Sequence, residues 1–146
     1  MALEIERKFL INDESYKKFA MRKHHIIQGY LSRSKEATVR IRIIDDYARI
    51  TVKSITVNAT RHEWEYPIPI NDAKEMLEIC EGKIVEKTRW IVDYAGKMWE
   101  IDEFSKPSGT ATIAEIELDD ENEKIELPHF IGEEVTGNPA YYNSNL

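Results

Sequence analysis

The chain has one cysteine, Cys80, in 146 residues, which excludes an intramolecular disulfide and any cysteine-built metal cluster. It has no apolar run approaching the roughly 18 residues of a membrane span. Its first residues carry no apolar stretch of signal-peptide type, so a reducing, cytoplasmic setting is expected and no membrane partner. Glycine is scarce, at six, and no Gly-rich phosphate loop ending in Gly-Lys-Ser/Thr occurs; a bound phosphate would have to be held by side chains. Positive charge is in deficit, with 20 Lys and Arg against 27 Asp and Glu, and the net charge is −7. Bulk attraction to a nucleic-acid polymer is therefore not expected, which leaves room for a locally basic pocket.

What the chain has in abundance is alternation. Apolar and polar residues alternate over 2–11, 37–44, 47–55, 61–70, 83–94, 97–104 and 111–118, and QGYLS at 28–32 reads as a further strand. That makes about eight strands, rich in Ile, Val, Thr, Trp and Tyr. Asp45-Asp46 and Ala95-Gly96 suggest tight turns. Helices are predicted over 13–23, capped by Asn12, and over 72–81, capped by Asn71 and stopped by Gly82. Cys80 falls on the apolar stripe of the second with Met76 and Leu77, and reads as core. Residues 138–146 read as a short helix or an ordered tail. One domain over 1–146 is expected, of α+β class: an antiparallel sheet or a closed barrel.

The charged faces are unusual. Near the start stands Glu4-Ile5-Glu6-Arg7-Lys8, with two carboxylates and an ammonium at i, i+2 and i+4 on one face of a strand. Acidic pairs recur at Glu63/Glu65, Glu100/Asp102 and Glu115/Glu117. Basic pairs occur at Arg40/Arg42 and Lys87/Arg89, with Lys8 and Lys53 single. A solvated sheet face accounts for any one such strand. Solvated faces usually mix signs, whereas these pairs are like-signed and recur on most strands. In a closed barrel the charges would point inward, where they must be neutralised: acids by cations, bases by an anion. A divalent metal with a polyphosphate does both. Hard Mg²⁺ or Mn²⁺ takes carboxylate, phosphate and water oxygens, and phosphoryl transfer needs positioning and charge neutralisation above all.

These residues resemble the CYTH domains, or triphosphate tunnel metalloenzymes. EIERK matches the ExExK signature of that family. The likeness continues in order through QGY (28–30), VRIR (39–42), TVK (51–53), HEWEYPI (62–68), EKTR (86–89), WEIDEF (99–104), AEIEL (114–118) and EVTGNPAYYN near the end. It covers the whole chain and looks like the small, single-domain bacterial type. The resemblance implies an eight-stranded antiparallel barrel with a charged interior. It implies Glu4, Glu6, Asp102, Glu115 and Glu117 as metal ligands or orienters of metal-bound water. Lys8, Arg40, Arg42, Lys53, Lys87 and Arg89 would grip the triphosphate. Glu4, Glu6, Lys8, Tyr30 and Glu117 are the candidate catalytic set. Glu63, Glu65 and Glu100 would hold a second metal, fix the bases or place the attacking water. Tyr30 would hydrogen-bond the Lys8 ammonium or pack at the tunnel wall. Tyr141, Tyr142 and Asn143 would line or plug one mouth. His24, His25, His62 and His129 are expected to pack or lie at the surface.

Members of the family act on inorganic triphosphate, thiamine triphosphate, RNA 5′-triphosphate ends or ATP. Trp64, Trp90 and Trp99 alternate with the charged positions and should face away from the tunnel, so no base-binding shelf is evident. The expected activity is metal-dependent hydrolysis of inorganic tripolyphosphate to pyrophosphate and phosphate. The alternatives are a class IV-type adenylate cyclase, a nucleoside or thiamine triphosphatase, and a non-catalytic polyphosphate-binding module. A homodimer is compatible with an incompletely covered outer wall, but no residue marks its interface.

Overall fold

The computed structural model describes residues 2–146. The alternating segments form strands β1 (Ala2–Ile11), β2 (Arg22–Ser34), β3 (Ala37–Ile44), β4 (Tyr47–Ser54), β5 (Thr60–Ile68), β6 (Glu81–Tyr94), β7 (Lys97–Lys106), β8 (Ile113–Glu117) and β9 (Ile131–Glu134). Two helices, α1 (Tyr16–Phe19) and α2 (Ile70–Glu78), and two 3-10 turns, Pro139–Tyr141 and Asn143–Asn145, complete the elements. The strands run in the order β5-β4-β3-β2-β6-β7-β8-β1, and β1 pairs back onto β5, closing an eight-stranded antiparallel barrel. Closure leaves no free edge along the paired stretches. The edge of β1 is shared: its residues 2–5 pair with β5, and Phe9 and Ile11 pair with β9. The wall thus changes partner beside Glu6 and Lys8.

The tight turns fall as expected. Asp45 adopts φ 51°, and Ala95 and Gly96 adopt 51° and 77°. Left-handed residues of this kind match the strand twist of short hairpins.

The apolar core lies outside the barrel. Phe9, Tyr16, Trp99, Ile101, Ile116, Phe130 and neighbours form one cluster between the outer wall, α1 and the stretch after β8. Phe9 and Trp99 meet edge to face at 5.5 Å. A second, smaller cluster of Ile41, Ile43, Ala48 and Ala73 seats α2, joined by the half-buried Met76, Leu77 and Cys80. Each large side chain buried there is worth about 1.5–3 kcal/mol. That burial leaves the inward positions of the strands free to be polar.

Three expectations are corrected. Only Tyr16–Phe19 of the predicted 13–23 helix is helical, and from Arg22 the chain is already strand, paired with β6 from Arg22↔Ile91 onward. Ladder pairing overrides weak helix propensity there. Asn12 does not cap, because its amide donates to the carbonyls of His129 and Ile131. The second helix begins at Ile70, with Pro69 and not Asn71 in the cap position, and ends at Glu78. Gly82 belongs to β6, where it adopts φ 71° and its missing Cβ makes room for the Arg33 side chain. The barrel also carries a ninth, four-residue strand, β9, that the alternation did not reveal.

Candidate active site

Strand parity sends one side chain in two into the barrel. There they line a cavity of about 110 Å³, several times what one water needs. Apart from Lys8, which stands on β1 among the acids, most of the acids and bases come from different walls. β1, β8 and β7 bring Glu4, Glu6, Glu115, Glu117 and Glu100; β3, β4 and β6 bring Arg40, Arg42, Lys53 and Arg89.

On the acidic wall the register sets like charges face to face: Glu6 opposite Glu117, and Glu100 opposite Glu115. Such cross-strand pairs destabilise a sheet unless something positive lies between them. Burial, then the charge of Glu115, pushes the Glu6 carboxyl up to about 8, so it keeps a proton near neutrality. Burial acts on Glu115 in the same sense, but the charges of Lys8, Arg89 and Lys87 together outweigh it and hold Glu115 ionised. Burial, then the neighbouring Glu4, raises Glu63 to about 7. Lys8 Nζ lies 3.3 Å from Glu115 and 3.9 Å from Glu6. Lys53 Nζ lies 2.8 Å from Glu4 and 3.5 Å from Glu63.

The basic wall is under-compensated. Arg42 forms no ion pair among the described residues; its Nε donates to the Gln28 side chain at 2.8 Å. Burial, then the charges of Arg40 and Arg89, pulls its pKa down to about 9. Arg40 donates to Thr51 at 3.2 Å and lies 3.8 Å from Glu65, yet its buried Nε has no partner. Buried donors without acceptors are costly, and a bound anion would satisfy them.

Not every expected residue reaches the cavity. Asp102 is 1% exposed and faces inward without joining the lining; its two oxygens receive Lys87 at 2.6 Å and Arg89 at 2.7 and 2.9 Å. Lys87, equally buried, also donates to Asn143 at 3.1 Å. Glu65 accepts from Arg49 at 2.5 Å and from Thr51 at 2.9 Å and does not join the lining. Glu63 is likewise absent from the lining. Tyr30 does line the cavity, but Lys8 turns to its carboxylates and no Tyr30–Lys8 hydrogen bond forms; the Arg33 guanidinium lies 5.1 Å from the Tyr30 ring. The C-terminal segment closes one end. Tyr142, Asn143 and Ser144 join the lining, Asn143 accepts from Gln28 and Lys87, and Arg33 grips the Ser144 carbonyl. No tryptophan or histidine lines the cavity. Trp90 and Trp99 pack in the outer core, as expected.

Sequence reasoning missed Arg61. Its guanidinium lies 3.1 Å from Glu4 and 3.4 Å from Glu6, in the lining. The signal was its spacing, two residues before Glu63 on the same strand face. A search for like-signed pairs passed over it.

The CYTH domain model matches residues 2–144. The chain belongs to the CYTH family. Two CYTH-sized relatives are named inorganic triphosphatases. That of Acetivibrio thermocellus is 43% identical, with 100% of this chain and 94% of the relative covered. That of Nitrosomonas europaea is 29% identical, with 98% and 95% covered. A crystal structure of an inorganic triphosphatase superposes with a TM-score of 0.67 at 28% identity, covering 99% of this chain and 94% of the other. A Hippeastrum protein, described as a putative adenylyl cyclase with a dominant triphosphatase activity, shares the fold at a TM-score of 0.60 and 17% identity, over 80% of each chain.

Proposed function

We propose that this CYTH protein hydrolyses inorganic tripolyphosphate to pyrophosphate and phosphate inside the barrel, with a divalent cation, Mg²⁺ or Mn²⁺. The observation that carries the reading is the pairing of two unmet demands across one cavity. Facing carboxylates want a cation; Arg40 and Arg42 want an anion. A polyanion and a dication entering together meet both demands, whereas either alone leaves one set of charges unmatched. The 43% identical relative named an inorganic triphosphatase supports the choice of substrate.

The donor set fits a hard dication: carboxylates, with no thiolate or imidazole in the lining. Glu4, Glu6, Glu115 and Glu117 would hold it. Asp102 acts one step back by fixing Arg89 and Lys87. When bound, the metal supplies charge neutralisation and a more acidic water. Arg40, Arg42, Lys53 and Arg89 bind the phosphate oxygens and meet the charge that develops as the P–O bond breaks. Lys8, held between Glu6 and Glu115, would offer its ammonium to a phosphate oxygen from among the acids. Glu117, raised by burial and then by Glu4 and Glu100, is the carboxyl set to take the proton of the attacking water. Tyr30 contributes shape and a hydroxyl at the wall. A single half-buried thiol fits a reducing, cytoplasmic setting.

Phosphate release from tripolyphosphate, ATP and thiamine triphosphate, measured side by side with Mg²⁺ or Mn²⁺, tests this. Tripolyphosphate should be turned over far faster than the others, EDTA should stop it, and Glu6→Gln should lower the rate on the order of 100-fold or more. Cyclic AMP from ATP, or preference for an organic triphosphate, would replace the reading with a cyclase or an organic triphosphatase. Metal-dependent binding without turnover would leave a binding module.

A further inference from the structure

We propose that Arg61 is a tethered counter-cation that occupies the metal-binding acids until a metal displaces it, and that it then binds the triphosphate. The proposal rests on the reading of Glu4 and Glu6 as metal ligands.

Glu4 and Glu6 project from the same face of β1, two residues apart. One guanidinium bridges them, Nε to Glu4 at 3.1 Å and Nη2 to Glu6 at 3.4 Å. No other base among the described residues joins these two carboxylates: Lys53 reaches Glu4 and Glu63, and Lys8 reaches Glu6 and Glu115. A guanidinium fork and a hard dication compete for the same carboxylate lone pairs. Arg61 therefore lowers the cost of leaving the acids without metal, and by the same interaction opposes metal binding.

The side chain also has somewhere to go. Arg61 is the second residue of β5, close to the turn where Asn58 takes φ 58°. It lines both the main cavity and a small adjoining pocket walled by Thr56, Asn58, Thr136 and Tyr142. That pocket lies where the barrel wall passes from β5 to β9 along β1. Once a metal holds Glu4 and Glu6, the guanidinium is left on the cavity wall with its donors unmet. The phosphate oxygens of a triphosphate are the acceptors within the same cavity. Arg61 thus joins the four other basic residues of the phosphate-binding wall, but only after metal has entered.

The two roles have opposite signs, which a merely structural arginine would not produce. Mn²⁺ binding to the substrate-free protein is measured by titration calorimetry or electron paramagnetic resonance, and KM for tripolyphosphate is measured at saturating metal. In Arg61→Gln, Mn²⁺ should bind at least about fivefold more tightly, while KM rises by about tenfold. Arg61→Lys, which keeps the charge, should lie between native and Gln on both. Mn²⁺ affinity that is unchanged or weaker in a folded Arg61→Gln protein overturns the proposal and leaves the metal reading standing. Mn²⁺ binding to neither native nor variant protein overturns the metal reading, and the proposal with it.

Discussion

Asp102 shows how a charge can serve the cavity without entering it. With its oxygens taken by Lys87 and Arg89, it turns two repelling cations into a fixed support for the basic wall of the cavity. Burial first, then the nearby Arg89 and Arg42 charges against Asp102, brings the Lys87 ammonium down to about 7. Removing the carboxylate leaves Lys87 with only the neutral Asn143 amide and Arg89 with only Glu100 at 3.3 Å. Asp102→Asn should therefore cost about 3–5 kcal/mol in urea unfolding. The loss should be smaller at pH 9 than at pH 6, because a neutral Lys87 needs no counter-charge. Mn²⁺ affinity should hardly change, and its abolition would make Asp102 a ligand after all. From sequence, Asp102 and Glu100 look alike, two residues apart on one face. Parity tells which side of a strand a residue takes, but not how deep it sits, so the acids and bases were legible as a set and their division into lining and support was not. Arg61 escaped for a related reason: its partners are opposite in sign and on another strand.

At the scale of elements, the apolar outer wall decides what can be legible. Alternation marked eight strands and their turns because inward and outward positions differ in kind all along the barrel. It failed where pairing, and not pattern, sets the structure. Residues 22–27 carry an unclear pattern and become strand because β6 is long enough to pair with them. The strand β9 has only four residues, too few for a period to show. The seating of α2 was also hidden. Gly29 of β2 lies under its end, and a Cβ there would meet Ile84 Cδ1 at 2.8 Å and Cys80 Sγ at 2.9 Å. Both are side-chain atoms that can give way at a cost, so Gly29→Ala should destabilise by about 1–3 kcal/mol. The variant should still fold and turn over substrate, because the displaced atoms lie on the outer side of the wall. Unchanged stability by chemical denaturation would mean that α2 is loosely held.

At the scale of the molecule, a core outside and charges inside make stability depend on what fills the barrel. Without metal, Glu6 and Glu63 carry protons in the native state up to about 8 and about 7, against an ordinary value of 4.5. Between pH 4.5 and 7 the native protein therefore binds more protons than the unfolded chain, and its stability falls as pH rises. Glu4, Asp102 and Glu115 are held below their ordinary values by basic neighbours that outweigh burial. Their contributions are complete above about 4.5 and flat across this window. Lys87, brought down to about 7, works the other way from there upward: the unfolded chain keeps a proton that the native state sheds, and stability is regained. In EDTA the unfolding temperature should drop by several degrees from pH 5 to pH 7 and level off above. Saturating Mn²⁺ takes the place of the protons between the carboxylates and should flatten or reverse that slope, since metal binds the ionised acids more tightly as pH rises. Calorimetric scans at pH 5, 6, 7 and 8 with and without Mn²⁺ decide it. Equal slopes in both conditions would mean that the facing carboxylates do not need the cation, and the charge-matching logic of the cavity would fall with them.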